Sequence, residues 1–430
     1  MGLLKDIFSA EVYPALGCTE PIACAFAAAT AAQHLGQPAE KLAILVDPGT
    51  YKNGASVIVP NSNGARGNRI AAALGARIAD AGEQLELLKH ATPEICREAQ
   101  ALMDSANFEY GVLEKQRGFR IEATVNAGQS QVLCVLSEGH THIERVEKDG
   151  QVVFEAPEAS GAGSDLAYRE QLRKLDLVTL AKHAENLDDQ DRKHLRHGIE
   201  MNQALSQCGG GLKGSAYQLS EMARKGLLSE DLFHRAKLAV ASAVDARMHG
   251  QALPAMTSGG SGNQGIIASL TPHLVGQELH VDEERVLQSI AFAHLINAYV
   301  KCFVGELAVI CGCAMSAGIA VAAAIVQQRA PGDAHRIGLA VNTVVGDLGG
   351  MICDGAKPGC AMKAVSSVDA ALRSGFMALE GFGLDAHDGV VGRTAEDTIR
   401  NLGRITLEGM LAVDPTVLDI LRHKAAHGRS

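Results

Sequence analysis

The chain contains no tryptophan, and aromatic residues make up only 4% of its 430 residues. Hydrophobic residues nevertheless reach 47%, so the apolar mass is mostly Ala, Val, Leu and Ile, accompanied by 46 glycines. Alanine is the strongest helix former, so this composition favours a mainly helical interior. Because one hydrophobic core rarely suffices at this length, we expect two domains.

Positive charge is also scarce. The formal net charge is −10, and the chain has no cluster of Lys and Arg. A protein that binds nucleic acid presents a basic face, so this charge balance predicts no nucleic-acid partner.

The N-terminal residues, MGLLKDIFSAEVYP, lack the charged-then-apolar pattern of a secretory signal. Ten cysteines in a chain of this length are also too few for a secreted disulfide scaffold. We therefore expect a cytoplasmic protein with reduced thiols that are available for metal binding or catalysis.

A single long run lacks charge, residues 307–326 (LAVICGCAMSAGIAVAAAIV). It has the length of a membrane-spanning helix, but Ala, Gly, Ser and Cys fill much of it and no basic cluster flanks it. We predict a buried central helix and no membrane partner.

Residue patterns predict helices over 21–35 and 68–74. They also predict strands over 42–46 and 55–60, joined by a hairpin turn at Asn53-Gly54. Residues 119–154 alternate at period two between turn sequences, which predicts a small antiparallel sheet. A linker rich in Gly, Ser and acidic residues follows at 155–165, and the rest is mainly helical. The expected fold class is α+β, with an N-terminal α/β region, 1–160, and a larger helical domain, 161–430.

The cysteines fall into two groups. Cys24, Cys96, Cys134 and Cys208 stand singly in helix-like or strand-like segments, as small buried hydrophobic residues do, and Cys302 is ambiguous. The others lie on loops or at helix starts, where a thiol has a lowered pKa and binds metal more readily; these are Cys18, Cys311, Cys313, Cys353 and Cys360. Their spacing favours metal binding over buried structural thiols. It leaves open zinc, held by the last four, and an iron–sulfur cluster, held by three.

A glycine-rich segment could bind an anion. Residues 260–265 match GxGxxG, but no convincing strand precedes them, so a dinucleotide site is disfavoured. Glycine amides at a helix N-terminus can cradle a carboxylate, and Ser258, Ser261 and Asn263 would add side-chain donors. Glycines needed only for a tight turn are the structural alternative. Two histidines on one predicted strand, His140 and His142, could bind a metal together, but we favour the alternative that they lie on an exposed strand edge.

Three segments together resemble the L-cysteine desulfidase family, which is related to the α chain of iron–sulfur L-serine dehydratases. They are residues 11–21 (EVYPALGCTEP), 311–314 (CGCA) and 350–360 (GMICDGAKPGC). Residues 245–266 resemble the substrate loop of the same superfamily, and the resemblance spans about residues 11–363.

The resemblance implies a [4Fe-4S] cluster held by three cysteines of the helical domain, with the fourth iron free to bind substrate. Cys313 and Cys353 match the family pattern; Cys360 is the expected third ligand, with Cys311 in reserve. The dehydratases carry a Ser-rich, His-containing loop where this chain has Cys18. This departure favours L-cysteine over L-serine as substrate and leaves open whether Cys18 transfers a proton or binds the cluster. We favour proton transfer, because Cys313, Cys353 and one of Cys360 or Cys311 already supply three ligands.

The implied reaction is β-elimination of L-cysteine to sulfide, ammonia and pyruvate. Cys18 and Lys357 are the candidate catalytic residues, and the substrate carboxylate is expected at Ser258, Gly260, Ser261, Gly262 and Asn263. A pyridoxal-phosphate lyase using Lys357 or Lys301, and a zinc-stabilised protein without activity, are the alternatives. The expected partners are a small amino-acid substrate and further copies of the chain in a homo-oligomer.

Overall fold

The computed structural model describes residues 2–116, 118–157, 167–305 and 307–427. Most of the predicted linker, 155–165, lies outside the described residues, so the boundary between 1–160 and 161–430 stays a prediction. The described strands are β1 (Pro14–Leu16), β2 (Lys41–Val46), β3 (Phe108–Val112), β4 (Arg120–Ala127), β5 (Ser130–Ser137), β6 (Ile143–Lys148), β7 (Gln151–Glu155) and β8 (Pro254–Met256).

The helices outnumber the strands. They are α1 (Leu3–Glu11), α2 (Thr19–Leu35), α3 (Pro48–Gly54), α4 (Gly67–Ile78), α5 (Pro93–Met103), α6 (Ala167–Leu172), α7 (Leu177–Glu185), α8 (Asp189–Gly209), α9 (Ser215–Arg224), α10 (Leu232–Met248), α11 (Gly262–Glu278), α12 (Glu283–Val304), α13 (Ser316–Arg329), α14 (Ala334–Leu348), α15 (Cys360–Leu379), α16 (Ala395–Arg404) and α17 (Val413–Ala426). A 3-10 helix at Gln84–His90 and a π-helical turn at Ile405–Gly409 complete the set.

A six-stranded mixed sheet forms the smaller part of the fold. Its strand order is β3-β2-β4-β5-β6-β7, and every pair is antiparallel except β2 with β3. Along β4, residues Ile121, Ala123 and Val125 are fully buried, whereas the residues between them are partly exposed. The period-two pattern is thus confirmed, and α2 and α4 share a hydrophobic core with this sheet.

The larger part is a helical bundle around α13. Every residue of α13 except Arg329 is buried. Helix α1 belongs to this core as well, through Leu3, Leu4, Ile7 and Phe8. The predicted α+β class, with a larger helical part and a smaller part containing the sheet, is therefore confirmed.

The apolar run 307–326 is not one helix, because α13 begins only at Ser316 after a loop. Among the described residues one helix, α12, is long and apolar enough to span a membrane by length and composition, and 89% of its most apolar window is buried in the protein. This burial is typical of a core helix.

The predicted hairpin at Asn53-Gly54 was wrong, since these residues end α3. Asp47 caps this helix by accepting hydrogen bonds from the Thr50 amide at 3.0 Å and from its hydroxyl at 2.6 Å. With Pro48 at the first helical position, this start signal outweighs the Asn-Gly turn signal. Residues 55–60 form no strand; Ile58 makes an isolated bridge to Arg66.

A second, two-stranded sheet pairs β1 with β8 and connects the N-terminal segment to the glycine-rich loop. The Tyr13 amide donates to Thr257 Oγ1 at 2.9 Å, and the Gly260 amide donates to the Glu11 carbonyl at 3.1 Å. Cys18, two residues after β1, is thereby brought next to the loop.

Candidate active site

One cavity brings together the loop cysteines and the glycine-rich segment. One side is formed by Cys311, Cys313, Cys353 and Cys360, which we call the thiol wall. Another is formed by Arg247 and the glycine-rich segment, through Gly259, Gly260, Ser261, Asn263 and Gln264, and we call it the glycine wall. Cys18 also lines the cavity.

The thiol wall rests on two paired segments. The Cys311 amide donates to the Met351 carbonyl at 2.8 Å, and the Cys353 amide donates to the Val309 carbonyl at 2.7 Å. An antiparallel bridge between Ile310 and Ile352 completes this pairing. Backbone pairing therefore holds two of the cysteines side by side, and Cys360 begins α15 a short loop later.

Basic groups surround the thiol wall. A hydrogen bond with the Cys313 thiol, helped by the charge of Lys363, lowers the pKa of Cys311 to about 6. Burial raises the pKa of Cys353, but Lys52 and Lys363 oppose this increase. Lys52 is 1% exposed and forms an ion pair with Asp414 at 2.6 Å. These cations favour thiolates, the form that binds metal.

The hydrogen bond with Cys311 and burial nevertheless raise the pKa of Cys313, and burial raises the pKa of Cys360 to about 11. The lowering expected for these loop thiols is therefore found only for Cys311.

The donors of the thiol wall are four cysteine sulfurs. Thiolates are the ligands that hold iron–sulfur clusters, and zinc also accepts them, so the chemistry of this donor set fits either group. In the part of the chain that the structure describes, no group of three or more His, Cys, Asp or Glu side chains converges on one point that could hold a metal ion.

Cys18 is the N-cap of α2 and is 5% exposed. Its thiol donates to Glu20 Oε2 at 3.0 Å, while Glu20 Oε1 accepts from Asn53 Nδ2 at 2.9 Å. Burial and the Glu20 carboxylate raise the pKa of Cys18 well above its usual value. The expected lowering by the helix N-terminus was therefore wrong for this residue, because desolvation and a like charge outweigh the helix dipole.

Glu20 is a buried carboxylate that the sequence interpretation did not include. Although burial opposes it, the nearby His140 and the hydrogen bonds from Cys18 and Asn53 lower the pKa of Glu20. His140 lies in the turn before β6, is 5% exposed, and packs edge-on against Phe119 at 4.9 Å between ring centroids. The exposed-edge interpretation was wrong for His140, which lines the cavity, whereas His142 does not.

The glycine wall begins behind the cavity surface with Ser258, which is fully buried. Its hydroxyl oxygen lies 2.9 Å from His294 Nδ1 and accepts from Asn297 Nδ2 at 3.0 Å. The amides of Ser258 and Ser261 each donate to the carbonyl of the other. Helix α11 then starts at Gly262, and its first-turn amides lack partners within the helix, as an anion site requires.

Asn263 supports a neighbouring arginine. Its Oδ1 accepts from Arg247 Nη1 at 3.0 Å, and its Nδ2 lies 3.7 Å from Met248 Sδ. Arg247 ends a largely buried helix, α10, and is itself 2% exposed. A charged residue inside the apolar run AVASAVDARM was the sequence signal that could have identified it.

The two predicted lysines lie in different places. Lys357 forms an ion pair with Asp354 and donates to the Gly355 carbonyl at 3.2 Å, and it is not among the residues lining the cavity. Lys301 lines the cavity and donates to the Gly259 carbonyl. Lys363 also lines it, donating to the Ile352 carbonyl at 2.8 Å.

The lone cysteines lie elsewhere, as predicted. Cys24, Cys96 and Cys134 are buried and Cys208 is half-buried, and none of them lines the cavity. Cys302 is buried near it, at the end of α12.

Comparison with known proteins gives one family match and several full-length relatives. The sequence model of the family described as serine dehydratase alpha chain matches residues 82–419. A UPF0597 protein of Geobacter sulfurreducens is 46% identical over 424 residues, covering 99% of each chain. Similar UPF0597 proteins occur in Elusimicrobium minutum, 43% identical over 99% of this chain and 100% of its own, and in Desulfatibacillum aliphaticivorans, 37% identical over 98% of each. No solved structure matches the chain.

Proposed function

The chain belongs to the serine dehydratase alpha chain family, which points to a lyase, and we propose that it is an iron–sulfur-dependent L-cysteine desulfidase. In the proposed reaction L-cysteine loses sulfide by β-elimination. The resulting 2-aminoacrylate takes up one water, and the products are hydrogen sulfide, ammonia and pyruvate.

One observation carries the proposal: four thiols and the glycine-rich loop line the same cavity. An α-amino acid in this cavity would place its carboxylate at the glycine wall and its β-substituent near the thiols. Binding and leaving-group activation would then occur at opposite ends of the substrate, as elimination on a metal cluster requires.

The family is generally associated with [4Fe-4S] clusters, and the donor set of the thiol wall fits one. Cys313, Cys353 and Cys360 would hold it, with Cys311 as the reserve ligand. When bound, such a cluster supplies a Lewis acid that activates the β-substituent, and a substrate thiolate is a soft ligand suited to iron.

The residues of the chain bind the substrate and move its proton. The amides of Gly260 and Ser261 donate to the carbonyls of Glu11 and Ser258, so the carboxylate would be bound by the first-turn amides of α11 at Gly262 and Asn263 and by the Ser261 hydroxyl, while Ser258 supports the loop from behind. Cys18 holds a proton on Sγ, directed at Glu20, and exchanges it during the reaction. The role of Lys357 as a base stays a prediction.

L-serine is the second candidate substrate, favoured by the family match to serine dehydratases. The two substrates differ only in the β-substituent, so the cavity would bind both in the same orientation. Cys18, which stands where the dehydratases have a Ser-rich loop, favours L-cysteine.

The test is anaerobic purification followed by analysis of iron, acid-labile sulfide, and pyruvate formed from L-cysteine and from L-serine. We expect about four irons and four sulfides per chain, and faster turnover of L-cysteine. Stoichiometric zinc without labile sulfide would refute the cofactor, and faster turnover of L-serine would refute the substrate preference. Cys208→Ser, which changes a thiol outside the cavity, is the matched control.

Ten free thiols and an oxygen-sensitive cofactor suit a reducing compartment, so we propose that the protein works in the cytoplasm. We also propose that it forms a homo-oligomer.

A further inference from the structure

Arg247 carries two hydrogen-bond donors that no described residue uses. One edge of its guanidinium is fixed, because Nη1 donates to Asn263 Oδ1 at 3.0 Å. Nε and Nη2 are buried without a partner among the described residues, although Arg247 lines the cavity. A buried charged donor without an acceptor is costly, and the two-nitrogen edge of an arginine matches the two oxygens of a carboxylate.

The start of α11 is shaped around this guanidinium. A Cβ atom at Gly262 would lie 2.4 Å from Arg247 Nε and 3.0 Å from Nη2, so any larger residue there would displace the side chain. The arginine thus stands against the N-terminus of α11, where backbone amides and the helix dipole also favour an anion.

Gln264 offers the opposite kind of group in the same cavity. It is 7% exposed, lines the cavity, and its Oε1 has no hydrogen-bond partner among the described residues. Its Nε2 end is packed against the turn of the thiol wall, since a Cβ at Gly312 would lie 2.5 Å from Nε2. An acceptor in the same cavity as an arginine with unused donors suits a ligand that carries both an anion and a hydrogen-bond donor.

We propose that this pair is a clamp for α-amino acids as a class, in which Nε and Nη2 of Arg247 bind the α-carboxylate and Oε1 of Gln264 accepts from the α-ammonium group. The clamp deepens the proposed function and rests on it for the identity of the cavity. Asn263 then acts as a positioning residue that fixes the arginine.

The clamp can be tested without turnover by using L-alanine, ethylamine and propionate as probes. None of them carries a β-substituent that could leave, and the second and third lack the carboxylate or the amine. Binding to the anaerobically prepared holoprotein is measured by titration calorimetry. We expect L-alanine to bind at least about tenfold more tightly than either fragment, because only it satisfies both groups.

Two variants separate the two halves. Arg247→Lys keeps the charge but loses the fork, and should weaken L-alanine binding about tenfold or more while leaving ethylamine unchanged. Gln264→Leu should weaken L-alanine and ethylamine and leave propionate unchanged. Arg77→Gln is the matched control, because Arg77 also has a buried Nε without a partner but lies on α4 away from the cavity.

Gly262→Ala keeps the arginine and displaces it, so it should reproduce the effect of Arg247→Lys if that variant fails to fold. Thermal unfolding establishes folding for each variant. Unchanged L-alanine binding in a folded Arg247→Lys or Gly262→Ala protein would overturn the clamp, as would wild-type protein that prefers a fragment. If L-alanine binds as expected but neither L-cysteine nor L-serine reacts, the clamp stands and the proposed function fails.

Discussion

The two walls of the cavity differ in what completes them. On the thiol wall, four buried or half-buried cysteines lie near Lys52 and Lys363; a hydrogen bond with Cys313 lowers the pKa of Cys311 to about 6, whereas burial raises that of Cys353 and Cys360. The glycine wall instead presents donors and acceptors that protein groups leave unused, at Arg247 and Gln264. In the proposed function the first wall holds a resident cofactor and the second binds a ligand that is released, so substitutions in the two walls should have different effects.

The largest effect is expected on the thiol wall. Cys313→Ala or Cys353→Ala should prevent the cluster from assembling, and turnover should fall to background, because three ligands are needed to retain the irons. Iron and sulfide analysis with the visible absorption spectrum measures this loss. Either variant with full iron content would show that the ligands lie elsewhere, and Cys208→Ala should behave as wild type.

Cys18, between the two walls, should give the next largest effect. Cys18→Ser should keep the cluster spectrum and lower turnover about a hundred- to ten-thousandfold, since a serine hydroxyl is a far weaker acid than a cysteine thiol. Cluster spectra and kcat are compared on the same preparation. A variant that cannot assemble the cluster would instead identify Cys18 as a ligand.

Damage to the glycine wall should be smaller and should spare the cofactor. Asn263→Ala removes the hydrogen bond that fixes Arg247, so substrate should bind about ten- to a hundredfold more weakly, or roughly 1.5–3 kcal/mol. The measurement is kcat/KM at low substrate together with iron content. Unchanged kcat/KM would mean that Asn263 has only a structural role.

The smallest effect is expected on the free energy of unfolding at acid pH, through His294, which supports the glycine wall. Burial lowers the pKa of His294, which holds Ser258, to about 3. An unfolded histidine titrates near 6.5, so below that pH the unfolded state binds a proton that the folded state does not. Stability should be intact above pH 6.5 and decline towards pH 3, by about 1.4 kcal/mol at pH 5.5 from this group alone.

Urea unfolding at pH 7.5 and pH 5.5 measures this difference. His294→Gln can keep the hydrogen bond to Ser258 without titrating, so it should lose less stability on acidification than wild type. His273, whose pKa burial also lowers, lies outside the cavity, and His273→Gln serves as a comparison. An equal pH dependence in His294→Gln and wild type would contradict the prediction.

Local patterns predicted much of the fold. The alternation along β4 predicted a strand because only one face of it is buried, and the Ala-rich run of α2 predicted a helix that is buried on all sides. The parallel pairing of β2 with β3 was not predictable, since FEYGV has no clear alternation and its partner lies more than 60 residues earlier. Likewise, Asn53-Gly54 alone predicts a turn, whereas Asp47 and Pro48 a few residues earlier predict the start of a helix.

In the candidate site, the cysteines were conspicuous because thiols clustered on loops are rare in a chain of this kind. Arg247 and Glu20 were not, because a charged residue in a helix is usually solvated. Only the hydrogen bonds of Arg247 to Asn263 and of Glu20 to Cys18 and Asn53 make them part of the cavity. The run AVASAVDARM signals that Arg247 is buried, but it does not identify Asn263, 16 positions away, as its partner, just as no local pattern pairs Glu20 with Asn53, 33 positions away.

The pairing of β1 with β8 also constrains how the protein is made. Tyr13 and Thr257, joined by a hydrogen bond, are 244 positions apart in the chain. The N-terminal segment therefore leaves the ribosome long before its partner strand exists, whereas the six-stranded sheet has all of its strands within residues 41–155 and can form meanwhile. Closing the cavity is then a late folding event, and cofactor insertion has to wait for a nearly complete polypeptide.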